Sequence, residues 1–327
     1  MDRAAAVSIK RVTKSFGDTI AVDGLDLEVP RGGLYGFIGP NGAGKTTTIR
    51  MIMSILLPDS GELQVLEHRS ALEAKDRIGY LPEERGVYRK MNVIAYLIYI
   101  GRLKGIVDRD LSGRIRKLLE RVGLFGLENK KCEDLSKGML QKIQFVAAIL
   151  HEPDLLILDE PFSGLDPVSM RLLRDLIVAE HDRGATILFS THVMPQAEEI
   201  CDHVVMIHRG RKVLDDPVGD IRRRFDPRAI VVEPLDPDAD ISPLERLPEI
   251  ERCQAVDGAY ELRLAPETDA VQAMRQVTAA LPMARVELKR PHLEDVFIEL
   301  VQDDSASAAS RTHLRAELQG ASGAPTV

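Results

Sequence analysis

Long apolar segments, cysteine pairs and an excess of basic residues are all missing from this sequence. The longest apolar run, from Val93 to Ile100, is far shorter than the roughly 20 residues of a membrane-spanning helix. The first residues also lack an apolar segment of secretory length. We therefore expect a chain that is soluble by itself and that reaches a membrane only through another protein.

The cysteine count and the charge exclude further classes. Cys132, Cys201 and Cys253 lie far apart without CxxC spacing, which predicts reduced thiols in a cytosolic protein rather than disulfides or a zinc site. A net charge of −8 argues against a nucleic-acid-binding surface over the whole chain. With 44% hydrophobic residues among 327, the chain can form one large domain or two ordinary ones.

One segment has the pattern of a phosphate-binding loop, G-x-x-x-x-G-K-[ST]. It follows an apolar stretch, Leu34 to Ile38, and precedes a helical pattern, Thr47 to Leu56. Strand, loop and helix in this order bring phosphates to a helix N-terminus. We expect Lys45 to reach the β and γ phosphates and the Thr46 hydroxyl to ligate Mg²⁺. The predicted nucleotide-binding residues here are Gly39, Pro40, Asn41, Gly42, Ala43, Gly44, Lys45, Thr46 and Thr47.

The rest of the chain reads as two regions. Residues 7–29 alternate apolar and polar residues, as antiparallel strands do, and buried strands then alternate with helices, which predicts an α/β core with a mainly parallel sheet. Residues 226–302 are rich in proline at first and then mix short strands and helices, which indicates a small α+β domain. The tail, 303–327, is rich in Ala, Ser and Gly, and we expect it to be disordered.

A second segment supplies the carboxylates that nucleotide hydrolysis needs. Four apolar residues, Leu155 to Leu158, predict a buried strand with Asp159 at its carboxyl end, where ligands bind in open α/β sheets. We expect Asp159 to hold Mg²⁺, largely through water. Glu160, the next residue, is the predicted general base that polarises the attacking water.

Between these segments, Leu135-Ser136-Lys137-Gly138-Met139 precedes an amphipathic helix that Ser136 can cap. With this segment in place, the chain resembles the ATP-binding subunits of ABC transporters over residues 7–215. Their signature sequence, typically LSGGQ, occupies this position and binds the γ-phosphate of ATP held by the opposite subunit. Ser136 and Gly138 match it, whereas Lys137 and Met139 depart from the commonest form.

The remaining motifs of the family follow in order. Phe16 stands where the family has an aromatic that stacks on adenine, and Asp166 belongs to a segment that resembles the D-loop at the dimer interface. His192 resembles the switch histidine that contacts the γ-phosphate. Glu83 replaces the family's usual glutamine, a sensor of the γ-phosphate and Mg²⁺, and a carboxylate there can still ligate Mg²⁺.

The resemblance implies the fold and the organisation of the whole chain. It implies a P-loop NTPase of ABC type over residues 5–220, with a mainly parallel sheet, an antiparallel β subdomain and a helical subdomain at about 86–148. The segment LPEERGVYRKM resembles a prokaryotic subgroup that pairs with exporter-type permeases, including sodium and drug efflux systems. Members of that subgroup often carry a small C-terminal domain.

The predicted function is therefore that of an ATP-hydrolysing subunit of an exporter. It would bind ATP and Mg²⁺, form an ATP-dependent head-to-tail dimer with a second copy, and lie on the inner face of the cell membrane through a separate permease. Nucleic acid is not an expected partner.

Three alternatives use the same loop. A soluble ABC ATPase of translation or DNA repair would need two cassettes or a long coiled-coil insertion, and neither is apparent. A GTPase would need a complete NKxD motif, whereas Asn129 to Cys132 lacks its aspartate. A non-catalytic nucleotide-gated module conflicts with the presence of Glu160 and His192, and a phosphate-release assay would test it.

Overall fold

The computed structural model describes residues 4–84, 86–107, 109–226, 228–256 and 258–302. Within these ranges the chain forms two compact units. The first unit runs to Val218 and takes up the chain again from Phe297, and the second comprises Gly219–Val296. The predicted disordered tail, 303–327, lies outside the described residues.

In the part of the chain that the structure describes, the first unit contains two sheets and six complete α-helices. Its strands are β1 (Ala5–Phe16), β2 (Thr19–Pro30), β3 (Leu34–Ile38), β4 (Ser60–Val65), β5 (Ile78–Leu81), β6 (Leu155–Asp159), β7 (Thr186–Thr191), β8 (His203–His208) and β9 (Arg211–Pro217). Its helices are α1 (Lys45–Ile52), α2 (Val93–Leu103), α3 (Leu111–Arg121), α4 (Lys137–Ile149), α5 (Pro167–Asp182) and α6 (Met194–Ile200).

The larger sheet has the strand order β5-β6-β7-β3-β8-β9, in which all neighbours are parallel except β8 and β9. Its central strands are apolar on both faces because helices cover both, and every residue of β3, β6 and β7 is buried. The predicted α/β fold with a mainly parallel sheet is confirmed. The helix after the phosphate-binding loop ends at Ile52, several residues before the predicted end.

The smaller sheet is antiparallel, with the order β2-β1-β4. β1 and β2 are the antiparallel strands predicted over residues 7–29, and they form a hairpin that closes where Phe16 pairs with Thr19. Alternate residues from Leu25 to Val29 of β2 are buried, so that one face of this strand packs on the core, whereas register shifts interrupt the alternation in β1. This sheet corresponds to the predicted antiparallel subdomain.

The helical region consists of α2, α3 and α4. Asn92 caps α2 by accepting a hydrogen bond from the Ala95 backbone N–H at 2.9 Å. Ser136 caps α4, since its hydroxyl accepts from the Met139 backbone N–H at 3.3 Å. The apolar spacing of the sequence predicted helices here, and the caps explain where two of them begin.

The second unit is built around one antiparallel sheet. Its elements are α7 (Val218–Arg224), β10 (Ala229–Pro234), α8 (Ser242–Glu245), β11 (Ile250–Val256), β12 (Ala259–Leu264), α9 (Ala270–Ala280) and β13 (Met283–Leu288), and α10 (Leu293–Gln302) follows them. The sheet order is β11-β12-β10-β13. Its core includes Ile230, Val232 and Leu262 of the sheet together with Ala273 and Val277 of α9, so that α9 packs on the sheet. No helix in the described part of the chain has both the length and the apolar character for a bilayer crossing.

Candidate active site

The candidate site lies where four neighbouring strands end. In the order β5-β6-β7-β3 the strands are parallel, so their carboxyl ends share one edge of the sheet. Ile38 of β3 pairs with Thr191 of β7, and Asp159 of β6 pairs with Ser190 of β7. The phosphate-binding loop, Asp159 with Glu160, and His192 therefore leave adjacent strands at the same level, although they are far apart in sequence.

The phosphate-binding loop has the backbone conformation that its glycines allow. Gly39 and Gly44 have φ angles of 156° and 105°. A Cβ on Gly39 would lie 2.2 Å from the Ile207 carbonyl oxygen, and one on Gly44 would lie 2.4 Å from the Ala21 carbonyl oxygen. A side chain at either position is therefore excluded by neighbouring backbone as well as by its φ angle.

Lys45 is held inside this loop. Its Nζ donates hydrogen bonds to the carbonyl oxygens of Gly39, at 2.7 Å, and Pro40, at 3.1 Å, and only 6% of the residue is exposed. Burial lowers the pKa of Lys45, while the carboxylates of Glu160, Asp159 and Glu83 oppose that shift. The loop thus holds a buried cation next to three carboxylates.

Asp159 is buried and only partly satisfied by hydrogen bonds. Its Oδ1 accepts from the Ser190 hydroxyl at 2.5 Å and from the Thr46 hydroxyl at 3.4 Å. Its Oδ2 is buried without a hydrogen-bond partner among the described residues. Burial raises the pKa of Asp159, the two hydroxyls oppose the shift, and Glu83 and Glu160 add to it. An unpaired oxygen beside a threonine hydroxyl, in a site rich in negative charge, is suited to a divalent cation.

Glu160 and His192 form a pair. Oε1 of Glu160 accepts from the backbone N–H of His192 at 3.0 Å and lies 2.8 Å from its Nδ1. Glu160 is buried, and its backbone adopts a left-handed φ of 49°, with its N–H donating to the Ser190 carbonyl oxygen at 3.2 Å. Such a conformation is unfavourable for a glutamate and persists where the surroundings impose it, often at functional sites.

Glu83 lies two residues beyond the end of β5 and is exposed. Its carboxylate acts electrostatically on both Lys45 and Asp159, which places its charge at the same edge of the sheet. Tyr80, the last residue but one of the same strand, is close enough to Asp159 and Glu83 for their charges to act on it. Burial raises the pKa of Tyr80 to about 12, and the charge of Asp159 contributes.

The predicted signature and D-loop residues belong to a second group. Ser136 caps α4, and a Cβ on Gly138 would lie 3.4 Å from Cδ2 of Leu165. Asp166 caps α5 by accepting from the N–H groups of Val168 and Ser169 and from the Ser169 hydroxyl, which together lower its pKa, the hydroxyl most. The hydrogen bonds of Asp166 stay within its own segment, and the closeness of Gly138 to Leu165 shows that the signature segment lies beside the D-loop segment.

Phe16 lies at the end of β1 and is 49% exposed, with the Lys14 ammonium 5.6 Å from the centroid of its ring. The same hairpin contributes Ala21, whose carbonyl oxygen adjoins Gly44 of the phosphate-binding loop. The exposed ring is therefore carried by the hairpin that borders the loop.

Comparison with known proteins shows which family has a chain of this kind. A family model described as ABC transporter matches residues 22–163. The ABC transporter ATP-binding protein YhaQ of Bacillus subtilis (strain 168), named as uncharacterized, is 40% identical over 295 residues, which is 90% of this chain and 98% of YhaQ. This chain belongs to the ABC transporter family of ATP-binding proteins. As a member of that family, the protein binds and hydrolyses ATP.

Three further matches extend the comparison of this ABC protein with known proteins. The Nod factor export ATP-binding protein I of Paraburkholderia xenovorans (strain LB400) is 33% identical over 301 residues, 90% of this chain and 97% of that protein. A solved ATP-binding subunit of an ABC transporter superposes with a TM-score of 0.63 at 31% identity, covering 67% of this chain and 93% of the other. Residues 217–301 match the C-terminal domain of proteins described as ATP-binding protein DrrA1-3-like.

Several contacts of the ABC site could not be predicted from the motifs. Ser190 binds Asp159, yet in the sequence it was only the residue two before His192. Gly210, in the β8–β9 turn, donates its N–H to the Ala43 carbonyl oxygen at 2.9 Å and so supports the phosphate-binding loop. Gln141 of α4 donates to the Pro161 carbonyl oxygen at 3.2 Å, next to Glu160. Ser190 could have been considered because it lies two residues before His192, whereas no motif of the sequence marks Gly210 or Gln141.

Proposed function

We propose that this protein is the ATP-hydrolysing subunit of an exporter, and that it acts on a separate membrane permease through ATP-dependent dimerisation. The observation that carries the proposal is the hydrogen-bonded pair of Glu160 and His192 beside Asp159 and Lys45. A module that only bound nucleotide would have no use for a buried, conformationally strained glutamate at this place. Export is supported by the name of a relative that matches over nearly its whole length.

In this proposal the loop and its surroundings bind MgATP. The backbone N–H groups of residues 39–47 and the Lys45 ammonium contact the phosphates, and Phe16 stacks on the adenine. Thr46 and Asp159 hold Mg²⁺, with the orphaned Oδ2 of Asp159 as the observation that fits a cation. When bound, Mg²⁺ neutralises charge that develops on the phosphates.

Glu160 would act as the general base. His192 directs both its backbone N–H and its Nδ1 at Oε1, so Oε2 takes no part in that pair and can accept the proton of a water. With Nδ1 committed to Glu160, Nε2 of His192 is the nitrogen left to contact the γ-phosphate. One histidine would thereby fix both the base and the phosphate that is attacked.

The second group of residues would complete the site of an opposite subunit. Ser136 and Gly138 lie at the N-terminus of α4, where backbone N–H groups and the helix dipole favour an anion. Leu165, the neighbour of Asp166 in the chain, lies beside Gly138. Gln141 of α4 is hydrogen-bonded to Pro161, the residue after Glu160. When ATP held by a second copy binds Ser136 and Gly138 of this subunit, the contact of Gln141 with Pro161 would therefore transmit that binding to Glu160 of the same subunit.

The permease would dock on the helical region, residues 86–148. Tyr88 and Tyr99 are exposed there with ring centroids 5.4 Å apart, a short distance along the chain from Glu83. Such a partner would place the protein at the inner face of the cell membrane.

Co-purification of the full chain with the multispanning protein encoded beside it would test this docking, and failure of every neighbouring candidate to bind would count against it. The domain at residues 226–302 would be an accessory to this assembly.

The principal test is Glu160→Gln, which keeps the shape and the hydrogen-bond acceptor but removes the base. We expect the ATP hydrolysis rate to fall by at least about 100-fold, with ATP binding retained. Because bound ATP then persists, light scattering of the purified variant with ATP should show a dimer. Glu62→Gln, which removes an exposed charge on β4, is the matched control and should hydrolyse ATP like the wild type.

The two parts of this test are independent. Unchanged hydrolysis by Glu160→Gln would exclude Glu160 as the general base. Loss of hydrolysis with a protein that stays monomeric in ATP would exclude the composite dimer site while leaving the base assignment in place.

A further inference from the structure

The turn that presents His192 is organised by the side chain of Thr191. Thr191 is fully buried at the end of β7, and its hydroxyl accepts a hydrogen bond from the Val193 backbone N–H at 3.0 Å. The bond spans His192, the residue between them. It therefore fixes the backbone from which the N–H and the imidazole of His192 both reach Glu160.

The Thr191 hydroxyl has a single proton, and it donates this proton in a hydrogen bond to the side-chain oxygen of Gln196. The distance from Thr191 Oγ1 to Gln196 Oε1 is 2.9 Å. Gln196 lies in the first turn of α6, where Val193 supplies no side-chain cap. Because the proton points at Gln196, the lone pairs of the hydroxyl remain oriented toward the Val193 N–H. Three residues thus form a chain of hydrogen bonds that ends at the turn carrying His192.

We propose that Gln196 is a positioning residue for hydrolysis, acting on Glu160 through Thr191 and His192. The inference rests on the proposed function, because it assumes that Glu160 is the base. Gln196 also contacts the element behind it, with Nε2 4.0 Å from the Met170 sulfur of α5, and it lines a cavity of about 170 Å³ with Phe162 and Met170. The amide is thereby held between two helices with its oxygen toward Thr191.

Loss of this acceptor should affect the chemical step and spare binding. Without it the Thr191 hydroxyl can rotate, the bond to Val193 weakens, and the turn no longer holds His192 at hydrogen-bond distance from Glu160 Oε1. The contacts of the phosphate-binding loop do not involve this turn, since Lys45 is held by Gly39 and Pro40. Mutation of residues that orient metal ligands through hydrogen bonds typically lowers activity by about 10- to 100-fold, and we expect the lower end of that range for a residue that orients a general base through two others.

The test compares two substitutions in the purified full-length protein. Gln196→Met has similar length, fits beside Met170 and the cavity, and removes the acceptor; Gln196→Glu keeps the acceptor and removes the amide donor. We expect kcat to fall about tenfold in Gln196→Met, with the Kd for ATP and the thermal unfolding midpoint close to the wild-type values. In Gln196→Glu, kcat should stay within about twofold of the wild type, since its carboxylate still receives the Thr191 proton.

Substitution of Thr191 provides a second, independent measurement. Thr191→Ser keeps the hydroxyl and should retain kcat, whereas Thr191→Val removes it and should lower kcat to the level of Gln196→Met. The double variant Thr191→Val with Gln196→Met should be no slower than either single variant, because both break one chain.

The outcomes separate this inference from the function on which it rests. Wild-type kcat in Gln196→Met, equal losses in Gln196→Met and Gln196→Glu, or additive losses in the double variant would each overturn the role of Gln196. Retained hydrolysis in Glu160→Gln would instead overturn the proposed function. Should Gln196→Met not fold, the Thr191 pair decides, and equal activity of Ser and Val would overturn the inference.

Discussion

At the scale of single residues, the site is defined by how much negative charge it concentrates. Asp159, Glu160 and Glu83 all act on Lys45, and the pKa of Asp159 is raised by burial and further by the other two carboxylates. An ABC site with glutamine in place of Glu83 would carry one charge less. The charge of Glu83 disfavours a bare triphosphate and favours a divalent cation, so it should be visible in the metal dependence.

Glu83→Gln tests this difference with two readouts of opposite sign. We expect the Mg²⁺ concentration that gives half-maximal hydrolysis to rise several-fold, because one negative charge near the cation is lost. Affinity for ATP without Mg²⁺ should increase, because the repulsion of the triphosphate is reduced. Glu84→Gln is the matched control, since Glu84 is the neighbouring exposed glutamate and its ion pair is with Arg50, at 3.5 Å. An unchanged Mg²⁺ titration and rate would contradict a metal role for Glu83.

At the scale of elements, the sequence predicted the strands that follow from the hydrophobic pattern and the loop that depends on the conformations of its glycines. Leu155 to Leu158 formed a strand because four consecutive apolar residues can be buried between two layers of helices. The phosphate-binding loop was predictable because its glycines and Lys45 are close in sequence. The support from Gly210 was not predictable, because it depends on β8 being the neighbour of β3, which brings the β8–β9 turn to Ala43. The pairing of Glu160 with His192 followed only from the strand order, in which β6 and β7 are neighbours.

Two glycines of the same loop offer a matched test of this packing. Gly39→Ala would place its Cβ 2.2 Å from the Ile207 carbonyl oxygen, whereas Gly42→Ala, with a φ of 75°, would meet nothing within 4 Å. Gly42→Ala should cost about 1 kcal/mol of unfolding free energy through its left-handed backbone alone. Gly39→Ala should cost about 3 kcal/mol or more, because β8 must also move. Urea unfolding of both variants measures the difference, and equal costs would show that Ile207 does not confine the loop.

At the scale of the whole molecule, the chain leaves the first unit and later rejoins it. Among the described residues, the first unit runs to Val218, and Phe297 to Gln302 belong to it again. A match to a C-terminal domain model over residues 217–301 therefore includes residues that pack in the ATP-binding unit. Sequence patterns could not reveal this, because they show that α10 is amphipathic and not which unit its apolar side chains enter.

Phe297 is the residue through which this return can be tested. It is fully buried, and its ring lies against His208 of β8, with centroids 5.7 Å apart. Phe297→Ala should lower the stability of the ATP-binding unit by about 3–5 kcal/mol, since a buried phenylalanine is replaced by a cavity. The suitable measurement is loss of binding of a fluorescent ATP analogue with increasing urea, because it reports on that unit alone. Val271→Ala, a change on α9 where Val271 is 57% exposed, is the control and should stay within about 0.5 kcal/mol of wild type. If Phe297→Ala left the urea midpoint for nucleotide binding unchanged, the end of α10 would not contribute to the stability of the ATP-binding unit.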